Sequence, residues 1–407
     1  MKKLFIVILL SLLYVGSSDA AVKKIFGIAV DDTQTALTAC TTFGFSIDAT
    51  NTLPVGQNNA RMVRVDRSGT TTYGYVLTSQ ATGYSVYVFD YITMAVVGST
   101  VNTITGYRDA GRIQGDVGTD GKLYVFNEVG IANPSCSTAN CVMMSRWNGP
   151  TLESAVIDNT SVQVDNIDDA RQSGSNFLVV VSRATAPLVR QFRTYSMSAL
   201  TVVTVGTQTA TGNFVHIGRT ITEVMYAAQA DNAATPNIWT FASDSSTASG
   251  TATITYGIGR TIGAVFPLDV TANFFVFDSD MPGGASPQRA YVQPPTTAFG
   301  LQDFPNGITD LGAAFQGGFW DSLNVKVFSL RTSVAGVGVA QRSLVAIVPP
   351  FTVEENFACG AQCVNSGGMS TGTQVVDYSQ TYARMYVGSN ETPARLTRIK
   401  VCAVGGP

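Results

Sequence analysis

Apolar and polar positions alternate in short runs along this chain, and each run ends on an aromatic residue, usually followed by a small polar one. The runs are SVYVFDY (85–91), VMMSRWN (142–148), QFRTYS (191–196), NIWTFAS (237–243), RAYVQ (289–293) and VKVFSL (325–330), with a weaker RLTRIKVC (395–402). Period two is the spacing of a half-buried β-strand. With Phe89, Trp147, Tyr195, Phe241, Tyr291, Phe328 and Ile399 as landmarks, the gaps are 58, 48, 46, 50, 37 and 71, a mean of about 52. A unit of about 40–50 residues holding several strands predicts a β-propeller.

The stretch 60–104 reads as four strands, MVRVDRSG, TTYGYVLTS, YSVYVFDY and VVGSTVNT, with turn residues between them. Asp120-Gly121 predicts a tight hairpin with positive φ at both residues. Seven copies predict an all-β fold: a seven-bladed β-propeller of four-stranded antiparallel blades, one domain over 21–407. The last copy holds only three strands, TQVVDYSQ, TYARMYVGS and ARLTRIKVC. A spare extended segment, FGFSIDATNT (43–52), precedes the first full copy. Pairing the two termini in one blade removes exposed edges, so 43–52 is expected to complete the seventh blade and close the ring.

The strands GKLYVFN (121–127) and YSVYVFDYITMAVVG (84–98) resemble the repeats of YVTN/NHL-like β-propellers. At the level of pattern the likeness covers nearly all of the chain after residue 20. The tryptophan–aspartate signature of other propellers is missing, because Asn148 follows Trp147. The resemblance implies a propeller and a tendency to bind partners at the channel mouths; it implies no particular chemistry.

The N-terminus changes the compartment. Lys2 and Lys3, an apolar 4–15 and Ser18-Asp19-Ala20 form a signal peptide over 1–20, with an apolar core too short to span a membrane. A secreted, extracellular chain follows, with no membrane span after the signal is removed. Six cysteines then predict three disulfides. Cys136–Cys141 and Cys359–Cys363 would staple loop tips, leaving Cys40–Cys402 as the clasp of the ring. That clasp closes a loop of more than 360 residues and is worth more than about 4 kcal/mol in the chain-entropy model. Zinc is a poor use of cysteines spaced C-x4-C and C-x3-C in an oxidising compartment.

Charged residues are 13% of the chain, against about 25% in an average globular protein. Losing Lys2, Lys3 and Asp19 takes the net charge from −3 to −4. Nucleic acid is excluded as a partner, since a phosphate-binding surface needs clustered Lys and Arg. Low charge fits Thr-rich strand faces, and it also fits a surface built for dense packing.

Candidate sites are few. Arg61, Arg112, Arg171, Arg219 and Arg260 close a repeated tripeptide near the expected start of each blade, so they could ring the channel and bind an anion; pairing with blade carboxylates is the structural alternative. Asp165, Asp168 and Asp169 are weak calcium candidates, as solvated turn carboxylates read the same way. Asp278 and Asp280 form a second acidic loop. His216 is the sole histidine, and a histidine relay or metal centre normally needs more. No G-x-S-x-G elbow and no repeated sialidase-type S-x-D-x-G-x-T-W hairpin is present. Asn159 (N-T-S) and Asn390 (N-E-T) are glycosylation acceptors if the organism is eukaryotic.

The reading that follows is a non-catalytic extracellular scaffold, such as a subunit of a layer, matrix or filament. It needs no cofactor, and its partners would be other extracellular proteins, glycans or further copies of itself. Two alternatives are a carbohydrate-active or lactonase-like enzyme using channel-mouth Asp and Arg residues, and a glycan-binding lectin.

Overall fold

The computed structural model describes the chain over 45–253 and 383–401 with short breaks, together with the backbone of strands between 22 and 31 and between 261 and 378. Side chains are described chiefly within 47–253 and 386–399. Residues 1–20, expected from the sequence to be a signal peptide, lie outside the described residues, as do the side chains of Cys40, Cys359, Cys363 and Cys402. Among the described residues no helix is long and apolar enough to cross a membrane.

Strands follow one another as antiparallel meanders. The first sheet is Ala60–Val65, Tyr73–Gln80, Gly83–Asp90 and Val96–Thr103, hydrogen-bonded in that order. The second is Gln114–Val117, Leu123–Gly130, Asn140–Asn148 and Thr151–Asp158. The third is Val164–Ser173, Asn176–Arg183, Val189–Ser196 and Val202–Thr211. The fourth is Phe214–Arg219, Met225–Ala230, Asn237–Phe241 and Ala248–Thr253. A fifth sheet runs from Thr261–Pro267 to Gln302–Asp303, and a sixth from Phe315–Asp321 to Thr352–Ala358. The last takes Gln374–Tyr378, Ala383–Gly388 and Arg395–Val401 from the C-terminal region and Phe45–Thr52 from the N-terminal one. In that final pairing Phe45 faces Val401 and Thr52 faces Arg395.

Burial explains why the alternation fades in the middle strands. Leu123–Gly130 is buried at every position and Gly83–Asp90 at all but the last, because both faces of each sheet are covered by neighbours. The apolar core is therefore a series of layers between sheets. One layer joins Leu77, Tyr84 and Val86 of the first sheet to Leu123, Val125 and Trp147 of the second. Another joins Val63, Val76 and Phe89 of the first to Tyr386 and Leu396 of the last.

The landmark aromatics lie in these layers. Phe89 packs on Tyr386 at 5.7 Å between ring centroids, Trp147 on Tyr84 at 5.9 Å, Tyr195 on Phe126 at 5.4 Å and Phe241 on Phe192 at 4.9 Å. For Trp147, Tyr195 and Phe241 the partner belongs to the preceding sheet, and for Phe89 of the first sheet it belongs to the last. Two of the small polar residues that follow them, Asp90 and Ser196, cap a turn. In the first sheet Asp90 Oδ1 accepts from Ile92 N and Thr93 N, and Met94 takes φ 64°. In the third, Ser196 Oγ accepts from Ala199 N, and Leu200 takes φ 56°. The aromatic–polar pair is thus one packing residue and one turn cap.

Two sequence expectations are corrected. Phe328 lies on Lys326–Ser333, the second strand of its sheet, while the preceding landmarks all lie on third strands. Its partner Ala346 on the third strand restores even spacing, with 291 to 346 a gap of 55 and 346 to 399 a gap of 53. At Asp120-Gly121 only Gly121 has positive φ (74°), because the turn is the longer Gly118–Gly121 form, with Gly121 N donating to Gly118 O.

Candidate functional site

The inner strands carry buried charge. Hairpin register places Val65, Val117, Gln172 and Arg219 in line with the landmarks Phe89, Trp147, Tyr195 and Phe241. The residues just before them are Arg64, Asp116, Arg171 and Gly218. Arg64 and Arg171 share a geometry as well as a register. Each is buried, and each donates from Nη1 to the carbonyl of the residue before it, Val63 and Ala170, at 2.8 Å. Burial, then the charge of Arg171, lowers the Arg64 pKa, while Asp169 opposes the shift.

The carboxylates tie sheets together. Asp116 Oδ1 accepts from Val117 N at 2.6 Å, and Oδ2 accepts from Gln172 N of the third sheet at 3.0 Å. Asp169 repeats this one sheet further on: Oδ1 accepts from Ala170 N at 2.8 Å and Oδ2 from Ile217 N of the fourth sheet at 2.9 Å. Asp169 also pairs with Arg171, and Asp168 pairs with Arg190 at 2.9 Å. Between the second and third sheets Asp158 also accepts from Tyr195 Oη at 2.8 Å and Arg193 Nη1 at 3.2 Å. Burial, then the Asp158 charge, pushes the Tyr195 phenol up and keeps it a donor.

The sequence candidates fall in different places. Arg61 sits at the bulge between Ala60 and Met62, Arg171 faces Leu178 and Arg219 ends its strand opposite Met225. The repeated tripeptides are therefore not one ring of equivalent positions, since strand length varies between them and their landmarks. Arg112 and Arg260 lie outside the described residues, as do the side chains of Arg219, Asp165, His216 and Asp278. Asp168 and Asp169 are committed to guanidinium groups and amides, and no group of three metal-capable side chains occurs among the described residues. Arg64 and Asp116 were not among the sequence candidates; their equivalence is set by the register across two hairpins, which the structure supplies.

Cys136 and Cys141 are bonded, with Cα atoms 5.8 Å apart. Asn159 is exposed and steadies that loop: its Nδ2 donates to Ser135 O at 2.7 Å and its Oδ1 accepts from Ser137 N at 2.9 Å. Asn390 lies outside the described residues. A shallow groove of about 310 Å³ opens beside the loop, lined by Asn102, Ile104, Asn133, Met143 and Leu152 among others.

Consecutive four-stranded antiparallel meanders with their core between sheets define an all-β protein of the β-propeller type. Among solved structures the chain is similar to Kuenenia stuttgartiensis hydrazine synthase, at 11% identity and TM-score 0.51, over 84% of this chain and 96% of that one. It is also similar to the WD40 domain of Toxoplasma gondii coronin (7% identity, TM-score 0.48, 90% and 88% covered) and to the Dos1 propeller (8%, 0.45, 84% and 78%). At 11% identity what the chain shares with the hydrazine synthase is the fold alone. No family model matches the chain, and no curated protein matches it by sequence.

Proposed function

We propose that the protein is a secreted, seven-bladed β-propeller that serves as a non-catalytic extracellular scaffold. The observation that carries this reading is the use made of charge. Asp116 and Asp169 of the inner strands accept from backbone amides of the neighbouring sheets, while exposed apolar side chains collect on outer strands. Groups bound in this way are poor proton carriers, whereas an apolar rim favours contacts with other molecules.

A closed ring is supported by contacts at the terminal seam. Gln374–Tyr378 lies against Ala60–Val65, as the first strand of the first sheet lies against that of the second. Arg398 Nη1 donates to Ile92 O at 2.6 Å and Asn51 Nδ2 to Met94 O at 2.6 Å. Cys40–Cys402 would clasp this seam and Cys359–Cys363 a loop; peptide mapping without reduction should recover both linked pairs. The YVTN-like strand pattern fits the same reading.

Fractionation of the native source tests the function. The protein is expected in the extracellular fraction, and the purified chain should leave a panel of polysaccharides and lactones unchanged. Turnover that disappears in Asp168→Asn or Arg171→Gln, with folding retained, would overturn the reading in favour of an enzyme.

A further inference from the structure

Seven of the ten large apolar side chains exposed among the described residues lie on outermost strands: Ile47, Val96, Val97, Val101, Leu152, Val203 and Val205. Three of these belong to Val96–Thr103, where Val96, Val97 and Val101 are 61%, 41% and 59% exposed. That strand, VVGSTVNT, contains no charge and no proline. Among the described residues it ends its sheet, pairing only with Gly83–Asp90. Edge strands are normally protected from other edges by Lys, Pro or a bulge that turns them away. Here the one register shift falls on Val97, between Val96 opposite Phe89 and Gly98 opposite Val88; Val97 is exposed there, and the run from Gly98 to Thr103 is regular.

The two faces of this strand differ. Gly98, Thr100 and Asn102 are half-buried on the side of the second sheet, where Thr100 Oγ1 donates to Pro150 O at 2.6 Å. Val97, Ser99, Val101 and Thr103 are exposed on the other. About Ser99 the exposed row reads the same in both directions: valine, serine, valine.

We propose that Val96–Thr103 pairs antiparallel with the same strand of a second copy of this chain, centred on Ser99. The proposal rests on the scaffold reading and names its partner. In this register Val97 of each copy lies directly opposite Val101 of the other, forming two cross-strand apolar pairs on one face. Backbone groups on the outer edge gain partners, and neither strand brings a charge that would be stripped of water. A two-fold axis through Ser99 makes the contact self-complementary, which is the symmetry of most soluble dimers. A charged extracellular peptide would lack a counter-charge on this strand. One strand pair is small beside the roughly 1,200 Å² of a stable interface, so the expected affinity is micromolar or weaker.

Site-directed crosslinking of the full secreted chain tests the register. Opposed Ser99 Cα atoms would lie about 4.5–5.5 Å apart, within disulfide range. Val97 would lie roughly 14 Å from its own copy, which is beyond it. Under mild oxidation Ser99→Cys should form a covalent dimer at least ten times faster than Val97→Cys. Sedimentation velocity of the wild type should show weight-average mass rising with concentration, and the Val97→Lys/Val101→Lys variant should remain monomeric. Equal crosslinking of the two cysteine variants, a lysine variant that associates like the wild type, or a wild type monomeric at every concentration would each overturn self-pairing. None of these results touches the scaffold reading, which the activity panel overturns by itself.

Discussion

Asp158 holds the seam between the second and third sheets by accepting from both Tyr195 and Arg193, all three being buried. Removing the acceptor leaves the Arg193 charge in the interior beside a new cavity. Asp158→Ala should therefore cost about 3 kcal/mol. Tyr195→Phe deletes one neutral donor and keeps the ring against Phe126, so it should cost about 1 kcal/mol. Urea titrations of the two variants separate these values, and similar costs would show that Arg193 does not depend on Asp158. Packing sets a second test at this scale. A Cβ at Gly74 would collide with the ring of Phe89, which is itself held against Tyr386. Gly74→Ala should lose about 1–3 kcal/mol through overpacking, seen as a lower thermal midpoint.

The turns after the third strands are where the repeat signature acquires its meaning. Burial pushes the Asp90 carboxyl up, but hydrogen bonds from Thr72, Thr93 and Ile92 outweigh it and hold the pKa below the ordinary range. A depressed folded value means that Asp90 stabilises the fold above the ordinary carboxylate pKa of about 4. That stabilisation is lost as pH falls through the lowered value. Asp90→Ala should be less stable than the wild type by about 1 kcal/mol at pH 7, and the gap should close towards pH 2; urea midpoints at both pH values check this. The third-strand aromatics were legible in the sequence because period two and aromatic size both mark a residue packed between sheets. Phe328 misled because Lys326–Ser333, a second strand, has the same alternation as a third strand. Arg64 and Asp116 were not legible, since their equivalence depends on which residues face each other across two hairpins. Counting from one arginine to the next crosses turns of unequal length and loses that register.

Across the whole molecule, one strand from near residue 50 shares a sheet with three strands from beyond residue 370. Phe45–Thr52 contributes hydrogen bonds along Arg395–Val401, and the following Leu53 joins the apolar layer that also holds Val63, Phe89, Tyr386 and Leu396. Leu53 N donates to Ala394 O at 2.9 Å, and Gln57 O accepts from Ala394 N at 2.9 Å, so the contact continues past the strand. The spare segment and the short last copy were legible together because each lacked what the other supplied. Deleting 45–52 would uncover the edge of Arg395–Val401 and strip one side of that layer. The deletion variant should therefore lose cooperative unfolding and aggregate. A circular permutant tests whether adjacency or chain order matters. Joining the C-terminus to Ala21 through a flexible linker, which retains Cys40, and opening the chain after the exposed Arg108 between the first and second sheets keeps every strand pair described here. It should unfold cooperatively with a thermal midpoint close to the parent's, because surface openings away from paired strands are well tolerated. A folded deletion variant, or a permutant that fails to fold although its linker spans the gap, would count against closure through this seam.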